Sequence, residues 1–285
     1  MSYKVSITDL PLNYRILVVG CGGTGSFVAE GLCRLLDADR PLLLVDHDRV
    51  ESHNLRRQNF LEGDVGKFKS QALAERLSRQ YGRAVAYSVC PFDPDMREEA
   101  FGGGGLYQRA ALGLIIGCVD NAAARIDIAR GMQIGSWWLD AGNDRDSGQV
   151  LIGDANDIDR LQGAFSKVGM EVCHLPSPAM QAPSILIPPT RQETRQMDCA
   201  EAVEADGQSP LINQSMATLV LEFVHRLMKD DLTWMSAYID LSAGAMHAVP
   251  ADPVTIARML SVKVDTLFSK EAQCAIGRRY YMGRR

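Results

Sequence analysis

The chain has 285 residues, of which 46% are hydrophobic and 23% are charged, and its formal net charge is −5. These values are ordinary for a soluble globular protein with one large domain, or with one domain and a smaller appendage. The negative charge gives no reason to expect nucleic acid as the main partner. The sequence shows no signal pattern and no membrane-length apolar run, so we expect a cytoplasmic protein without a membrane partner.

The strands and helices that the first half of the sequence predicts alternate along the chain. Short apolar runs predict strands at 15–19, 41–46, 84–92, 111–120 and 136–142. Helical spacing of apolar residues predicts helices over 24–36, 64–82 and 121–132, the last with Asn121 as a possible N-cap. This alternation predicts an α/β fold with a doubly wound, mostly parallel sheet of Rossmann type.

The second half of the sequence departs from this alternation. Residues 145–212 are predicted to form an irregular, proline-rich loop region inserted in the domain. Order returns with an apolar helix over 215–228 and with two short antiparallel strands within 236–249. The expected organisation is one domain over residues 1–250, which includes the loop region, followed by a C-terminal helical tail over 251–285.

The seven cysteines are irregularly spaced, and no two of them form a C-x-x-C pair. An odd number at such spacing is not typical of a disulfide framework, so most of these cysteines are expected to be reduced and in the core. A structural zinc site with four thiolates is therefore not expected. Cys173 and His174 are adjacent, but a metal site would need two further ligands, and a structural role is favoured for both.

Gly20, Gly22 and Gly25 form a G-x-G-x-x-G motif between the first predicted strand and the first helix. In that position the glycines permit a tight turn, close approach of phosphate to the backbone, and close packing of the helix on the strand. Helix N–H groups then attract phosphate. Asp46 follows the second strand, 21 residues after Gly25, and is placed to accept hydrogen bonds from a ribose. The motif predicts a nucleotide site, and by itself it is compatible with NAD or ATP.

The charged residues that follow this aspartate favour ATP. Arg57 offers a planar fork suited to phosphate oxygens, and Lys69 adds a second cation. Asp48 and Asn54 supply acceptors and an amide near the ribose and phosphates. Asp120 ends a strand at the edge where open α/β sheets bind ligands, and a carboxylate there can hold Mg²⁺. The pyrophosphate of NAD is not broken, whereas an ATP that loses pyrophosphate needs this charge neutralisation.

Four segments of the sequence occur together in the order and at the spacing of a known signature. They are GCGGTG at 20–25, VDHDRVESHNLRRQNF at 45–60, DVGKFKSQA at 64–72 and GCVDNAAAR at 117–125. Over roughly residues 13–150 the chain resembles the ubiquitin-activating superfamily of MoeB and ThiF. Residues 199–227 are similar to a later segment of that superfamily, in which a cysteine-bearing loop precedes a core helix. The whole chain most resembles the PRTRC-system ThiF family, whose gene clusters also encode a ubiquitin-like protein.

This resemblance implies that Mg·ATP is used to adenylate the C-terminal carboxylate of a small ubiquitin-like, β-grasp protein. It also implies a homodimer, with part of the 145–212 region near the interface or over the substrate tail. Cys199 matches the loop cysteine that accepts the acyl group in several members, although it could also be a structural cysteine. The other implied roles are phosphate binding at Gly22 and Gly23, ribose binding by Asp46, triphosphate contacts by Asn54, Arg57 and Lys69, site shaping by Gln58, and Mg²⁺ binding by Asp120.

Two features of the superfamily are not found in this sequence. The zinc-binding C-x-x-C pairs are missing, and the N-terminal R-Y-x-R-Q element, whose arginine reaches the ATP of the other subunit, is not evident. Arg15 is the only arginine near that position. Three hypotheses therefore remain, of which an activating enzyme is favoured. The second is a non-catalytic scaffold that binds nucleotide or the ubiquitin-like protein, and the third is an NAD-dependent oxidoreductase.

Overall fold

A computed structural model describes residues 2–7, 15–94, 112–132, 135–188 and 211–268. Its strands are β1 Lys4–Val5, β2 Arg15–Val19, β3 Leu42–Val45, β4 Ala86–Ser88, β5 Leu112–Gly117, β6 Trp137–Asn143, β7 Ser147–Gly153, β8 Phe165–Ser166, β9 Glu171–Val172, β10 Trp234–Asp240 and β11 Ala245–Pro250. Its α-helices are α1 Gly23–Leu35, α2 Lys69–Tyr81, α3 Ala122–Gly131, α4 Pro178–Gln181, α5 Ile212–Met228 and α6 Pro253–Leu260. No helix within these ranges is long and apolar enough to cross a membrane.

Eight of the described strands form one sheet, in the order β11-β10-β7-β6-β5-β2-β3-β4. The five strands from β6 to β4 pair in parallel. The pairs β6–β7, β7–β10 and β10–β11 are antiparallel. The predicted α/β fold with a mostly parallel, Rossmann-like sheet and antiparallel strands near the C-terminus is therefore confirmed.

Helices cover both faces of the parallel part of the sheet, because neighbouring strand residues point to opposite faces. Ile16 and Val18 of β2 belong to the larger core cluster, together with apolar residues of α1 and α5. Leu17 and Val19 belong to a smaller cluster with Ile128 of α3. A strand that is buried on both faces reads as a continuous apolar run, which is why sequence analysis located β2 correctly.

The helix predicted over 64–82 and the strand predicted over 84–92 are markedly shorter in the structure. The helix predicted over 64–82 begins only at Lys69. Gly66 interrupts it, because this residue has φ +87° and donates its N–H to the Val50 carbonyl rather than to a helical acceptor. The strand predicted over 84–92 is limited to Ala86–Ser88.

The prediction of an irregular region over 145–212 is wrong for its first part. Strand β7, Ser147–Gly153, lies inside the sheet between β6 and β10. Only the second half of this strand is fully buried, while its first three residues are exposed or half-buried. The half-polar composition hid the strand, because it matches neither strict alternation nor a continuous apolar run.

The segment after β11 packs on the larger core. Ile256 and Ala257 of α6 and Leu267 are buried in the same cluster as β2 and α5. Asp252 caps α6, since its Oδ1 accepts hydrogen bonds from the N–H groups of Val254 and Thr255. The predicted helical tail is thus partly present, and residues 269–285 lie outside the described ranges.

We predict that Ile256→Ala lowers the free energy of unfolding of the whole domain by about 2–5 kcal/mol, because it opens a cavity in the shared core. Thermal unfolding followed by circular dichroism should show the main transition at a lower temperature. Val254→Ala is the matched control, since Val254 lies on the same helix with 52% of its surface exposed. An unchanged main transition in Ile256→Ala would mean that this segment unfolds independently.

Candidate functional site

The turn from β2 into α1 is shaped by close backbone contacts. Gly20 has φ +86°, and Gly25 lies so close to the Gly20 carbonyl that a methyl group on Gly25 would collide with it. By contrast, a Cβ on Gly22 would meet nothing within 4 Å. The first N–H groups of α1 have no acceptor within the helix. This open backbone at a helix N-terminus therefore fits an anionic group such as phosphate.

Asp46 follows β3 and is held against the glycine turn by backbone donors. Its Oδ2 accepts the N–H of Cys21 at 2.6 Å, and its Oδ1 accepts the N–H of Asp48 at 2.8 Å. Burial raises the pKa of Asp46, while these two N–H groups and the charge of Lys69 oppose the rise. The carboxylate is thereby fixed at the edge of the sheet, where it can accept hydrogen bonds from ribose hydroxyls.

A cavity of about 1130 Å³ lies at this edge of the sheet. Small-molecule pockets usually have about 300–1,000 Å³, so this cavity has room for a nucleotide and for part of a second substrate. One half is lined by the glycine turn and the segments after β3 and β5, and the other half by residues of β6, β7, β10 and β11. The predicted site residues that line it are Gly20, Gly22, Gly23, Asp46, Asp48, Arg57, Gln58, Lys69 and Asp120.

Three predicted site residues are not among those lining residues. Gly25 serves the packing of α1 on β2. Asn54 is buried, and its Oδ1 accepts the N–H of Glu51, so that it caps the short 3-10 helix that precedes Arg57. Cys199 lies outside the described ranges. The predicted triphosphate contact of Asn54 and the predicted role of Cys199 stay predictions.

Lys69 and Asp120 bring opposite charges to the cavity. Lys69 is the first residue of α2, and its Nζ donates to Asp48 Oδ2 at 3.0 Å. The Lys69 side chain is only 11% exposed, so it is held along the cavity wall. Asp120 is exposed, and Asn121 Nδ2 donates to its Oδ1 at 3.3 Å. A carboxylate that faces open space in this way fits the oxygen ligands that Mg²⁺ prefers.

The amide side chains of Asn121 and Gln58 both line the cavity. Asn121 is the N-cap of α3, as predicted, because its Oδ1 accepts the N–H of Ala124 at 2.8 Å. Gln58 Oε1 is buried without a hydrogen-bond partner among the described residues. A buried acceptor without a donor is costly. This oxygen is therefore suited to accept a hydrogen bond from a bound ligand.

Sequence analysis missed a polar network that lies behind the glycine turn. Thr24 Oγ1 donates to Asn143 Oδ1 at 3.2 Å, and Asn143 Nδ2 donates to Asn213 Oδ1 at 3.4 Å. Asn213 Nδ2 then donates to the Arg57 carbonyl at 3.2 Å. The Asn213 amide occupies the place that a side chain on Gly23 would need. In the sequence, this network could have been suspected only from Asn213, a polar residue in the first turn of a largely apolar helix.

A second feature that sequence analysis missed is a buried ion pair between Arg125 and Asp140. Arg125 Nε donates to both carboxylate oxygens of Asp140, at 3.1 and 3.2 Å. Burial raises the pKa of Asp140 to about 6, although Arg125 opposes the rise. Burial and the Asp140 carboxylate raise the pKa of the Cys118 thiol, which lines the same cavity. Cys118 therefore stays protonated at neutral pH and is a poor nucleophile.

The remaining cysteines agree only in part with the sequence prediction. Cys21, Cys33, Cys90 and Cys118 are free thiols, whereas Cys173 is disulfide-bonded. His174 Nδ1 lies 2.7 Å from Asp154 Oδ2, a carboxylate that also accepts from Arg160. A disulfide sulfur offers no thiolate, so a metal site at Cys173 and His174 is not supported.

The fold defines an α/β protein of Rossmann-like architecture, with a cavity at the carboxyl edge of its parallel strands. A family model described as ThiF family matches residues 10–220. The chain therefore belongs to the ThiF family.

Two curated relatives each match less than half of this chain. This chain is 35% identical over 140 residues to ubiquitin-like modifier-activating enzyme 5 of Dictyostelium discoideum. The aligned region covers 46% of this chain and 35% of the relative. The chain is 33% identical over 136 residues to the protein of the same name from Rattus norvegicus, covering 45% and 33% of the two chains. This chain thus spans about a third of the length of the curated relatives that it matches.

Solved structures show the same fold over most of the chain. Escherichia coli MccB with ATP has a TM-score of 0.55 and 16% identity, and the match covers 87% of this chain and 68% of MccB. PaaA has a TM-score of 0.54 and 19% identity, with 84% and 73% coverage. At these identities the likeness shows the fold alone.

We predict that Asn213→Ala lowers the free energy of unfolding by about 1–3 kcal/mol, because it removes the hydrogen bonds that the buried Asn213 amide makes with the Asn143 side chain and the Arg57 carbonyl. Urea unfolding should give a lower midpoint. Gln214→Ala, at the exposed neighbouring position of α5, is the matched control. Equal midpoints for the two variants would show that the network contributes nothing to stability.

From the raised pKa of Asp140 we predict that the free energy of unfolding depends on pH. Its pKa is about 6 in the folded chain, against about 3.9 when unfolded, so the folded state binds the proton more tightly. The resulting stabilisation is complete below about pH 3.9 and is lost as the pH rises through 6. Between pH 4.5 and 7 the wild type should therefore lose about 2 kcal/mol relative to Asp140→Asn. Urea unfolding of both proteins at each pH measures this, and a constant difference between them would contradict it.

Proposed function

We propose that this chain binds Mg·ATP in the cavity and adenylates the C-terminal carboxylate of a small ubiquitin-like protein of β-grasp fold. The observation that carries the proposal is that Arg57, Lys69 and Asp120, from three different segments of the chain, line the same cavity as the glycine turn. Such a set suits a reaction in which negative charge builds up on departing pyrophosphate. The names of the relatives, and the structures of MccB with ATP and with MccA, support it.

The nucleotide would occupy the half of the cavity beside β2, β3 and β5. The open backbone at Gly22 and the first turn of α1 would bind phosphates, and Asp46 would accept hydrogen bonds from the ribose. The orphaned Gln58 Oε1 would accept an N–H or O–H of the nucleotide. Asp120 would hold Mg²⁺, which supplies charge neutralisation on the phosphates. Lys69 would exchange Asp48 for a phosphate oxygen, since that ion pair is open to solvent on the Asp48 side.

The reaction is a displacement at the α-phosphorus of ATP. A carboxylate oxygen of the substrate attacks this atom and forms a new P–O bond. The bond from the α-phosphorus to the oxygen bridging to the β-phosphate breaks, and pyrophosphate leaves with the electron pair. The chain needs no general base, because a C-terminal carboxyl is already ionised near pH 7. Its contribution is alignment of the reactants and stabilisation of the developing charge.

The other half of the cavity would receive the tail of the protein substrate. Its lining includes Tyr238 of β10 and His247 of β11, and Tyr238 and Met246 are exposed on these strands. Exposed apolar side chains beside a cavity are typical of surfaces that contact another protein.

Three more specific proposals follow from the resemblance of this sequence to the superfamily of MoeB and ThiF. The first is membership of the PRTRC-system ThiF family, and the second is a homodimer. The third is that Cys199 accepts the acyl group from the adenylate. The protonated state of Cys118 supports a different thiol as acceptor, since Cys118 is the cysteine that lines the described part of the cavity.

We predict that Mg·ATP at about 100 times its dissociation constant stabilises the chain by about 2.7 kcal/mol, which raises the melting temperature by several degrees. Lys69→Ala and Asp120→Ala should each abolish that rise, because each removes a charge facing the phosphates. Lys67→Ala is the matched control, since this exposed lysine lies two residues away and pairs with Asp64. A rise with NAD but none with Mg·ATP would instead support the oxidoreductase hypothesis.

Adenylation itself is measured as exchange of radioactive pyrophosphate into ATP. The substrate is a ubiquitin-like protein of β-grasp fold with a free C-terminal carboxylate, and the control is the same protein with a C-terminal carboxamide. Exchange with the free carboxylate alone is the expected result. Binding of Mg·ATP without exchange would favour the non-catalytic scaffold.

A further inference from the structure

Arg125 presents two donor groups to the cavity from a fixed position. Its side chain is 11% exposed, and Asp140, which orients it, is fully buried. Only Nε is used in this ion pair, because it donates to both oxygens of Asp140. Neither Nη group has a partner among the described residues, and Arg125 lines the cavity. The guanidinium is thus preoriented, with its terminal N–H groups still available.

Gly142 of β6 makes room for this guanidinium. An added Cβ on Gly142 would lie 2.9 Å from Arg125 Nη2, closer than van der Waals contact permits. Gly142 itself lines the cavity. Arg125 Nη2 therefore contacts β6 at a position that faces the cavity. An alanine at this position would require the guanidinium to shift, while it would leave the charges of the cavity unchanged.

Arg125 lies at the border between the two halves of the cavity. It is on α3, one turn after Asp120 and Asn121, and its anchor Asp140 is on β6. In the sheet, β6 stands between β5, on the side of the nucleotide turn, and β7, on the side of the antiparallel strands. Arg125 is therefore a lining residue of α3 whose ion pair reaches across to the β6 side of the cavity.

We propose that Arg125 binds the terminal carboxylate of the substrate and that Asp140 is the residue that positions Arg125 for this task. The inference rests on the proposed function, because it assigns the acceptor of the adenylyl group within the same cavity. A guanidinium with two free, parallel N–H groups is the partner that a carboxylate binds best. The border position would hold that carboxylate beside the α-phosphate.

In this proposal Arg125 serves the substrate carboxylate, whereas Arg57 and Lys69 serve the nucleotide. In the proposed function Arg57 and Lys69 contact the triphosphate, and a carboxylate that approaches a polyanionic nucleotide is repelled by it. A cation at the border offsets this repulsion and fixes the direction of approach, which is the alignment that in-line displacement requires. Asp140 keeps the guanidinium from turning towards the phosphates, so the carboxylate site and the phosphate site remain distinct.

The experiment compares two adenosine ligands by isothermal titration calorimetry on the full chain. One is 5′-O-sulfamoyladenosine, and the other carries an N-acetylglycyl group on the sulfamate, which places an acyl oxygen where the carboxylate oxygen would lie. The wild type should prefer the acylated ligand. Arg125→Gln should reduce this preference about tenfold or more, because it removes a charge-assisted hydrogen bond, while the affinity for Mg·ATP changes less than about twofold.

Further variants separate positioning from a merely structural role. Asp140→Asn and Gly142→Ala should both reduce the preference for the acylated ligand, since the guanidinium loses its anchor in one and is displaced in the other. Arg130→Gln is the matched control, because Arg130 lies on the same helix with its side chain 73% exposed, and it should change neither affinity. Thermal unfolding of each variant shows whether it is folded at the titration temperature.

The outcomes distinguish failure of this inference from failure of the proposed function. If Arg125→Gln keeps the full preference for the acylated ligand, Arg125 does not bind the carboxylate. If it weakens both sulfamates and Mg·ATP equally, Arg125 serves the nucleotide, and the inference is again wrong. If the wild type binds neither Mg·ATP nor either sulfamate, the nucleotide site itself is refuted.

Discussion

The close packing of α1 on the end of β2 is the constraint on which the rest of the site depends. Gly25 lies against the carbonyl of Gly20 with no space for a methyl group, so the helix begins immediately beside the sheet edge. Its N-terminus therefore opens into the cavity, and the N–H of Cys21 is free to hold Asp46. On the opposite side, the Asn213 amide fills the space left by Gly23 and connects the turn to the segment that carries Arg57.

Lys69 and Arg125 are held in place at the cavity by carboxylates, and the two ion pairs differ in burial. Lys69 pairs with Asp48, which is 56% exposed, so the ion pair is screened by water and can be exchanged for a ligand oxygen at little cost. Arg125 pairs with the fully buried Asp140, and removal of either partner would leave a poorly solvated charge. One pair therefore suits a group that must change partner, and the other suits a group that must stay fixed.

The sequence alone predicted the elements that have strong local signals. The β2 and β5 strands are continuous apolar runs, the glycine turn has its motif, and Asn121 was identified as a cap because its side chain is suited to the start of a helix. Strand β7 was missed because its polar first half faces the cavity and its burial depends on β6 and β10. The late start of α2, at Lys69, was missed because it depends on a hydrogen bond from Gly66 to the distant Val50 carbonyl.

For this protein, the sequence by itself determined the fold class, the family signature and the candidate residues that follow each parallel strand. It could do so because strand ends, glycine turns and helix caps depend on neighbouring residues along the chain. Only the tertiary structure decided which polar residues act together, because Arg125 meets Asp140 and Asn213 meets Arg57 through packing of elements distant in sequence. It also decided the charge state of Asp140 and Cys118, since burial is a property of the folded chain rather than of the residue type.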